Sequence, residues 1–148
     1  MTRGSPSTFL RQHVVVFVRY GCVEANSRGL KVGIFALTNG LLSDGVLTPA
    51  EVERVRENNY WYENTYIDPA KVEPGVFDRL INPGTECWFQ SDAHHLIIRI
   101  EGYLQFVDQH GVSWEKVESE KPSRIVYEDD VQIVVSVPIS TYNVTQLS

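Results

Sequence analysis

Cysteine is nearly absent from this sequence. Cys22 and Cys87, the two in 148 residues, are too few and too far apart for a disulfide framework or a zinc knuckle, which favours reduced thiols in a cytosol. Long hydrophobic runs are missing as well. The longest strictly apolar run near the start, Val14 to Val18, closes at Arg19, far short of the roughly 20 residues that a membrane-spanning helix needs. It is also too short for the core of a secretory signal, and no small-residue cleavage pattern follows it. A cytoplasmic location with no membrane partner is therefore expected.

Positive charge is scarce. Lys and Arg total 13 against 19 Asp and Glu, a net charge of −6, which works against sequence-independent nucleic-acid binding because that depends on neutralising phosphates. The distribution is uneven, with Arg3, Arg11, Arg19, Arg28 and Lys31 facing only Glu24 in the first 31 residues. A nucleic-acid-associated role through this basic N-terminal segment is one reading, and a solvated terminal strand and loop is the plainer one. Nucleotide motifs are lacking too: the stretch from Gly29 to Gly33 has neither the spacing nor the Lys-Ser/Thr ending of a phosphate-binding loop, and no Gly-x-Gly-x-x-Gly occurs. Neither does a Gly-x-Ser-x-Gly nucleophile elbow.

What is present is an ordinary globular composition, 43% hydrophobic and 22% charged, with a length that suits a single domain spanning residues 1–148. Flexible ends are expected over about residues 1–10 and 139–148. The valine-rich His13–Tyr20 reads as a buried strand and Ile34–Leu42 as a short helix among glycines. Thr48, Pro49 and Glu51 give an N-cap, a first-turn proline and a capping-box glutamate, so a helix starts at Thr48. Residues 69–84 read as an ordered connection with at most one helical turn, near Val76–Leu80. Thr85–Phe89 is a short strand. A core helix follows, capped by Ser91 or Asp92, with Leu96, Ile100, Tyr103 and Val107 at helical spacing and His110 and Gly111 closing it. A charged edge strand over Trp114–Ser119 and two strands, Arg124–Glu128 and Val131–Val137, complete the chain. This order predicts an α+β fold, a mainly antiparallel sheet of about five strands with helices packed on one face.

Three constellations carry candidate chemistry. Cys87 stands before a helix start that holds His94 and His95, so a cysteine nucleophile with a histidine base is one reading of a catalytic site, and a small buried strand cysteine is the plainer one. A metal site drawn from these residues and Glu128-Asp129-Asp130 is disfavoured. Adjacent histidines point about 100° apart on a helix, and the acidic run fits a hairpin turn. No metal or cofactor is expected. The third constellation is Tyr60, Trp61, Tyr62 and Tyr66, flanked by Asn58, Asn59 and Asn64. Three consecutive aromatics span about 200° of a helix, wider than one core face, so at least one meets a ligand groove, a partner subunit or the proline-containing segment folded back over it.

Gly33-Ile34-Phe35, the Leu47-Thr48-Pro49 helix start, Cys87-Trp88-Phe89, His110-Gly111-Val112 and the stretch from Ile125 to Asp130 with Gln132 resemble a pattern in small uncharacterised bacterial proteins. The resemblance covers about residues 30–137 and implies a bacterial or phage-type cytosolic protein, with no activity to transfer. The leading expectation is a binding or interaction protein that self-associates as a homodimer, with Tyr60, Trp61, Tyr62 and Tyr66 forming the contact surface for a copy, a small molecule or another protein. A small enzyme with a site at Cys87, His94 and His95 is the alternative.

Overall fold

The computed structural model describes residues 14–27, 29–120 and 122–138. Strands β1 (Phe17–Cys22), β2 (Thr85–Gln90), β3 (Trp114–Ser119), β4 (Arg124–Glu128) and β5 (Gln132–Ser136) form one sheet in the order β3-β1-β2-β5-β4, and every pairing is antiparallel. The fold is thus α+β, as the element order predicts. β3 lies at one edge, where Glu115, Lys116 and Glu118 discourage pairing with another chain. The first strand is displaced from its expected span. It begins at Phe17 and runs on through Gly21 to Cys22, because its register with β3 continues to Cys22↔Trp114; partner geometry outweighs the valine run, and Val14 and Val15 stay exposed.

Helical segments α1 (Ile34–Ser43), α2 (Pro49–Thr65), α3 (Pro69–Val72), α4 (His94–Ile98) and α5 (Glu101–Gln109) supply the second layer. The expected cap of α2 is complete: the Glu51 N–H donates to Thr48 Oγ1, and the Thr48 N–H donates to the Glu51 carboxylate at 2.8 Å. Two expectations are corrected. The helical turn of the 69–84 connection forms at its start, where the Asp68 carboxylate accepts from the Ala70 N–H and Pro69 takes the first position. The core helix is not continuous and is capped by neither Ser91 nor Asp92; Ala93 is its N-cap. Between α4 and α5 the backbone bonds tighten, Ile100 N–H donating to the Ile97 carbonyl and Gly102 N–H to the Arg99 carbonyl. The tightening falls where a β-branched run meets glycine, both poorer helix formers than leucine or alanine. At the far end Gly111 adopts φ 73° and Val112 N–H reaches back to the Val107 carbonyl, closing α5 as His110-Gly111 predicts.

Register assigns the faces. Val18 opposes Phe89, and both point toward the helices, where they join Ile34, Tyr62, Leu96, Ile100, Tyr103 and Val107 in the main core. Phe17, Trp88, Ile133 and Val135 form a separate buried cluster on the opposite face. β5 is therefore buried on both sides, which explains its nearly continuous apolar sequence. The 69–84 connection seats Val76 on Tyr127 and Val134.

Asp129 closes the β4–β5 turn. One carboxylate oxygen accepts from the Val131 and Gln132 N–H groups, the other from the Tyr127 hydroxyl and from Gln132 Nε2. Burial by itself would raise this carboxyl, but the hydrogen bonds outweigh it and hold the group below its usual range. A depressed folded-state value means that the stabilisation is fully present above the unfolded value near about 4 and is lost as pH falls through the folded one. Replacing Asp129 by Ala should lower unfolding free energy by about 1–3 kcal/mol at pH 7, with a smaller difference below about pH 3. Urea denaturation at the two pH values checks this, and equal losses at both would show that the carboxylate charge is irrelevant.

Candidate functional site

The sheet is split along its middle. β1 and β2 share only the pairs Phe17↔Gln90 and Val18↔Phe89 and then part. β1 gains a replacement partner, since Gly21 bridges Gly33 and the Cys22 N–H donates to the Val32 carbonyl at 2.8 Å. Glycine is required on the β1 side of this bridge. A Cβ on Gly21 would stand 2.9 Å from the Val32 carbonyl oxygen and 2.5 Å from Arg19 Nη1. β2 retains only β5 as a strand neighbour beyond Phe89. The gap widens into a cleft of about 1020 Å³ reached by residues of β1, β2, α1, α2 and the 67–83 connection. This is the upper end of the size range of small-molecule sites.

Aromatic rings make much of its wall. Phe35 packs edge-on against Tyr62 at 4.8 Å, and Tyr66 does the same with Phe89 at 5.6 Å; all four line the cleft. Burial pushes the Tyr62 and Tyr66 hydroxyls far above their ordinary range, so both stay neutral. The asparagines beside the aromatic cluster hold the wall in place. Asn59 Nδ2 donates to Asn39 Oδ1 at 2.9 Å, and the Tyr103 hydroxyl donates to Asn59 Oδ1 at 2.8 Å, tying α1, α2 and α5 together.

Arg19 is the residue that sequence reasoning missed, having been counted only as part of a basic segment. It lines the cleft at 7% exposure, and its guanidinium donates to the Lys31 carbonyl. Among the described residues no carboxylate lies within ion-pair reach of it. The signal available in the sequence was an arginine inside a valine-rich strand followed two positions later by glycine. Of the other basic N-terminal residues, Arg3, Arg11 and Arg28 lie outside the described residues, as do the ends expected to be flexible.

Cys87 also lines the cleft, on the helix-facing side of β2 beside Val134. Its surface is open to the cleft rather than packed under the core helix, yet protein surrounds it. That desolvation pushes the thiol up to about 11, against a smaller downward pull from Arg19. His94 and His95 are exposed residues at the start of α4 and do not line the cleft. Among the described residues no hydrogen bond joins either to Cys87. His95 instead stands 6.5 Å from the Trp61 ring, and Arg99 lies over that ring at 4.6 Å. Of the four aromatic candidates, then, Tyr62 and Tyr66 face the cleft and core, Trp61 packs within the chain, and Tyr60 points outward at 69% exposure. No group of three or more His, Cys, Asp or Glu among the described residues is disposed to hold a metal, and no helix among them is long and apolar enough to cross a membrane.

Compared with known protein families, curated proteins and solved structures, the chain matches none.

A thiol with a raised pKa is slow to alkylate at neutral pH, because the thiolate is the nucleophile. In a Cys22→Ser background, iodoacetamide labelling of Cys87 should run about tenfold or more below that of a free thiol at pH 7.5 and rise steeply toward pH 11. Fast labelling with a midpoint below about 8.5 would return Cys87 to candidacy as a nucleophile.

Proposed function

We propose that the protein is a non-catalytic binding protein whose ligand is a small molecule with an aromatic or apolar body, held in the cleft between β1 and β2. The observation that carries this reading is the cleft itself, opened by a ladder that stops after Val18↔Phe89 and walled by Phe35, Tyr62, Tyr66 and Phe89. Apolar walls with a few convergent polar groups are the usual make-up of a small-molecule site. The enzyme reading has less support, because the thiol is protonated at neutral pH and neither histidine faces it. A nucleic-acid role has less still, since the described Arg19 is buried in the sheet rather than displayed. Free Cys22 and Cys87 are compatible with a reducing cytosol.

Titration with indole-3-acetamide, a neutral aromatic probe, followed by protein-observed NMR, should move the resonances of Phe35, Tyr66, Cys87 and Phe89 first. Cys87→Phe, which puts a ring into the cleft, should weaken that binding about tenfold or more while circular dichroism stays unchanged. Shifts confined to another surface, or an unaffected variant, would overturn the reading.

Self-association as a homodimer stands as a second reading, favoured by one observation: Tyr60 borders a shallow groove with Leu47, Pro49 and Val52 on the outer side of α2. Aromatic residues with a polar tip suit such interfaces. Light scattering across a concentration series should then give a mass near twice 16.8 kDa that falls to the single-chain value in Tyr60→Ala. A monomer at every concentration removes this reading.

A further inference from the structure

The cleft contains a charge that no described carboxylate answers. Transferring a guanidinium out of water without a counter-charge is costly, so buried arginines are normally paired with a carboxylate or bound to an anion. Arg19 has neither among the described residues. Its side chain lies along the Gly21–Gly33 bridge, with Nη1 and Nη2 close to where the missing Cβ atoms would be. Among the described residues its side chain makes one hydrogen bond, to the Lys31 carbonyl, although a guanidinium offers five N–H donors. Gly21 clears space for the guanidinium against the backbone, and Arg19 lines the cleft.

We infer that Arg19 recognises the carboxylate of the cleft's ligand, so that the protein binds small monoanionic carboxylates with an aromatic or apolar body. This rests on the cleft being the binding site. The wider charge pattern decides the kind of anion. Arg19, Lys31, Lys71 and Arg79 line the cleft, but so do Glu63, Asp68 and Glu86, and Lys31 is paired with Glu115 at 3.3 Å. Two of the acids are engaged locally, Glu86 with the Trp88 indole N–H and Asp68 with the Ala70 N–H. Such a near-balanced lining suits one negative charge delivered to one guanidinium; a polyphosphate would meet three carboxylates with too few free cations. A carboxylate also matches the planar, forked donors of arginine in a way that a lysine would not.

The test compares indole-3-acetate with indole-3-acetamide, which share a ring and shape and differ in charge, by NMR titration at constant ionic strength. The acetate should bind wild type about tenfold or more tightly than the amide, and Arg19→Gln should erase that preference while still binding the amide. On wild-type protein, the Arg19 side-chain Nε resonance should shift with the acetate and not with the amide, a readout that holds even if the variant does not fold. Equal affinity for the two probes and an unmoved Arg19 Nε signal would overturn the carboxylate inference and leave the cleft reading intact. Binding of neither probe would overturn the cleft reading itself. Tighter binding of tripolyphosphate than of the acetate would overturn the monoanion assignment.

Discussion

The hydrogen-bond ladder between β1 and β2 stops after two residue pairs, and most of what distinguishes this domain depends on that interruption. A continuous antiparallel pair would have set Arg19 opposite Trp88 and closed the sheet. Instead the 32–33 segment takes the place of β2 beside the second half of β1, so the Cys22 N–H is satisfied by the Val32 carbonyl without filling the gap. The exchange is possible because the β1 residue of the bridge carries no side chain: a Cβ at Gly21 would collide with the Val32 carbonyl. The same glycine leaves room for the Arg19 guanidinium, whose Nη1 would otherwise stand 2.5 Å from its Cβ. One backbone substitution thereby produces the cleft, its mouth and its buried charge.

The helical layer completes the site from the other side. Tyr62 donates its hydroxyl to the Leu96 carbonyl at 2.6 Å and so locks α2 to α4, while the Asn59 bonds to Asn39 and Tyr103 fix α2 against α1 and α5. The Tyr62 bond satisfies a buried hydroxyl that would otherwise lack a partner, whereas the Asn59–Asn39 bond is made at the surface. The electrostatic result is the same for the tyrosines and the thiol of the wall. Desolvation keeps the Tyr62, Tyr66 and Cys87 side chains protonated at neutral pH. Among the described charged residues that line the cleft Arg19 is the buried one, and in a low-dielectric setting its charge acts more strongly than that of an exposed lysine.

Local signals and their limits are visible element by element. The capping box at Thr48, the Asp129 turn and the His110-Gly111 terminus are all set by contacts within a few residues, and each formed where its residues predict; the charged edge strand also formed over its expected span, paired with β1. The helical turn at Pro69–Val72 was displaced by a local cap at Asp68, but three other misplacements share one cause. β1 shifted toward Cys22 because β3 extends that far; the core helix broke before Gly102, a position where a Cβ would also stand 2.7 Å from Asn58 Nδ2 of α2; and the aromatic run on α2 could be resolved into wall, interior contact and exposed residue only once α4 lay beside it. In each case the deciding partner is distant in sequence.

Periodicity, caps and turn chemistry thus determined from the sequence alone that the chain forms an α+β fold with five antiparallel strands and a helical layer, since these depend on how each segment hides its own apolar face and satisfies its own backbone. Cys87 was also legible as a candidate, though not its environment. The split between β1 and β2 and the isolation of Arg19 were decided by tertiary structure only. Both depend on which strand edge the 30–33 segment occupies, and that choice is made by competition among backbone partners about 60 residues apart, for which no local pattern provides a signal.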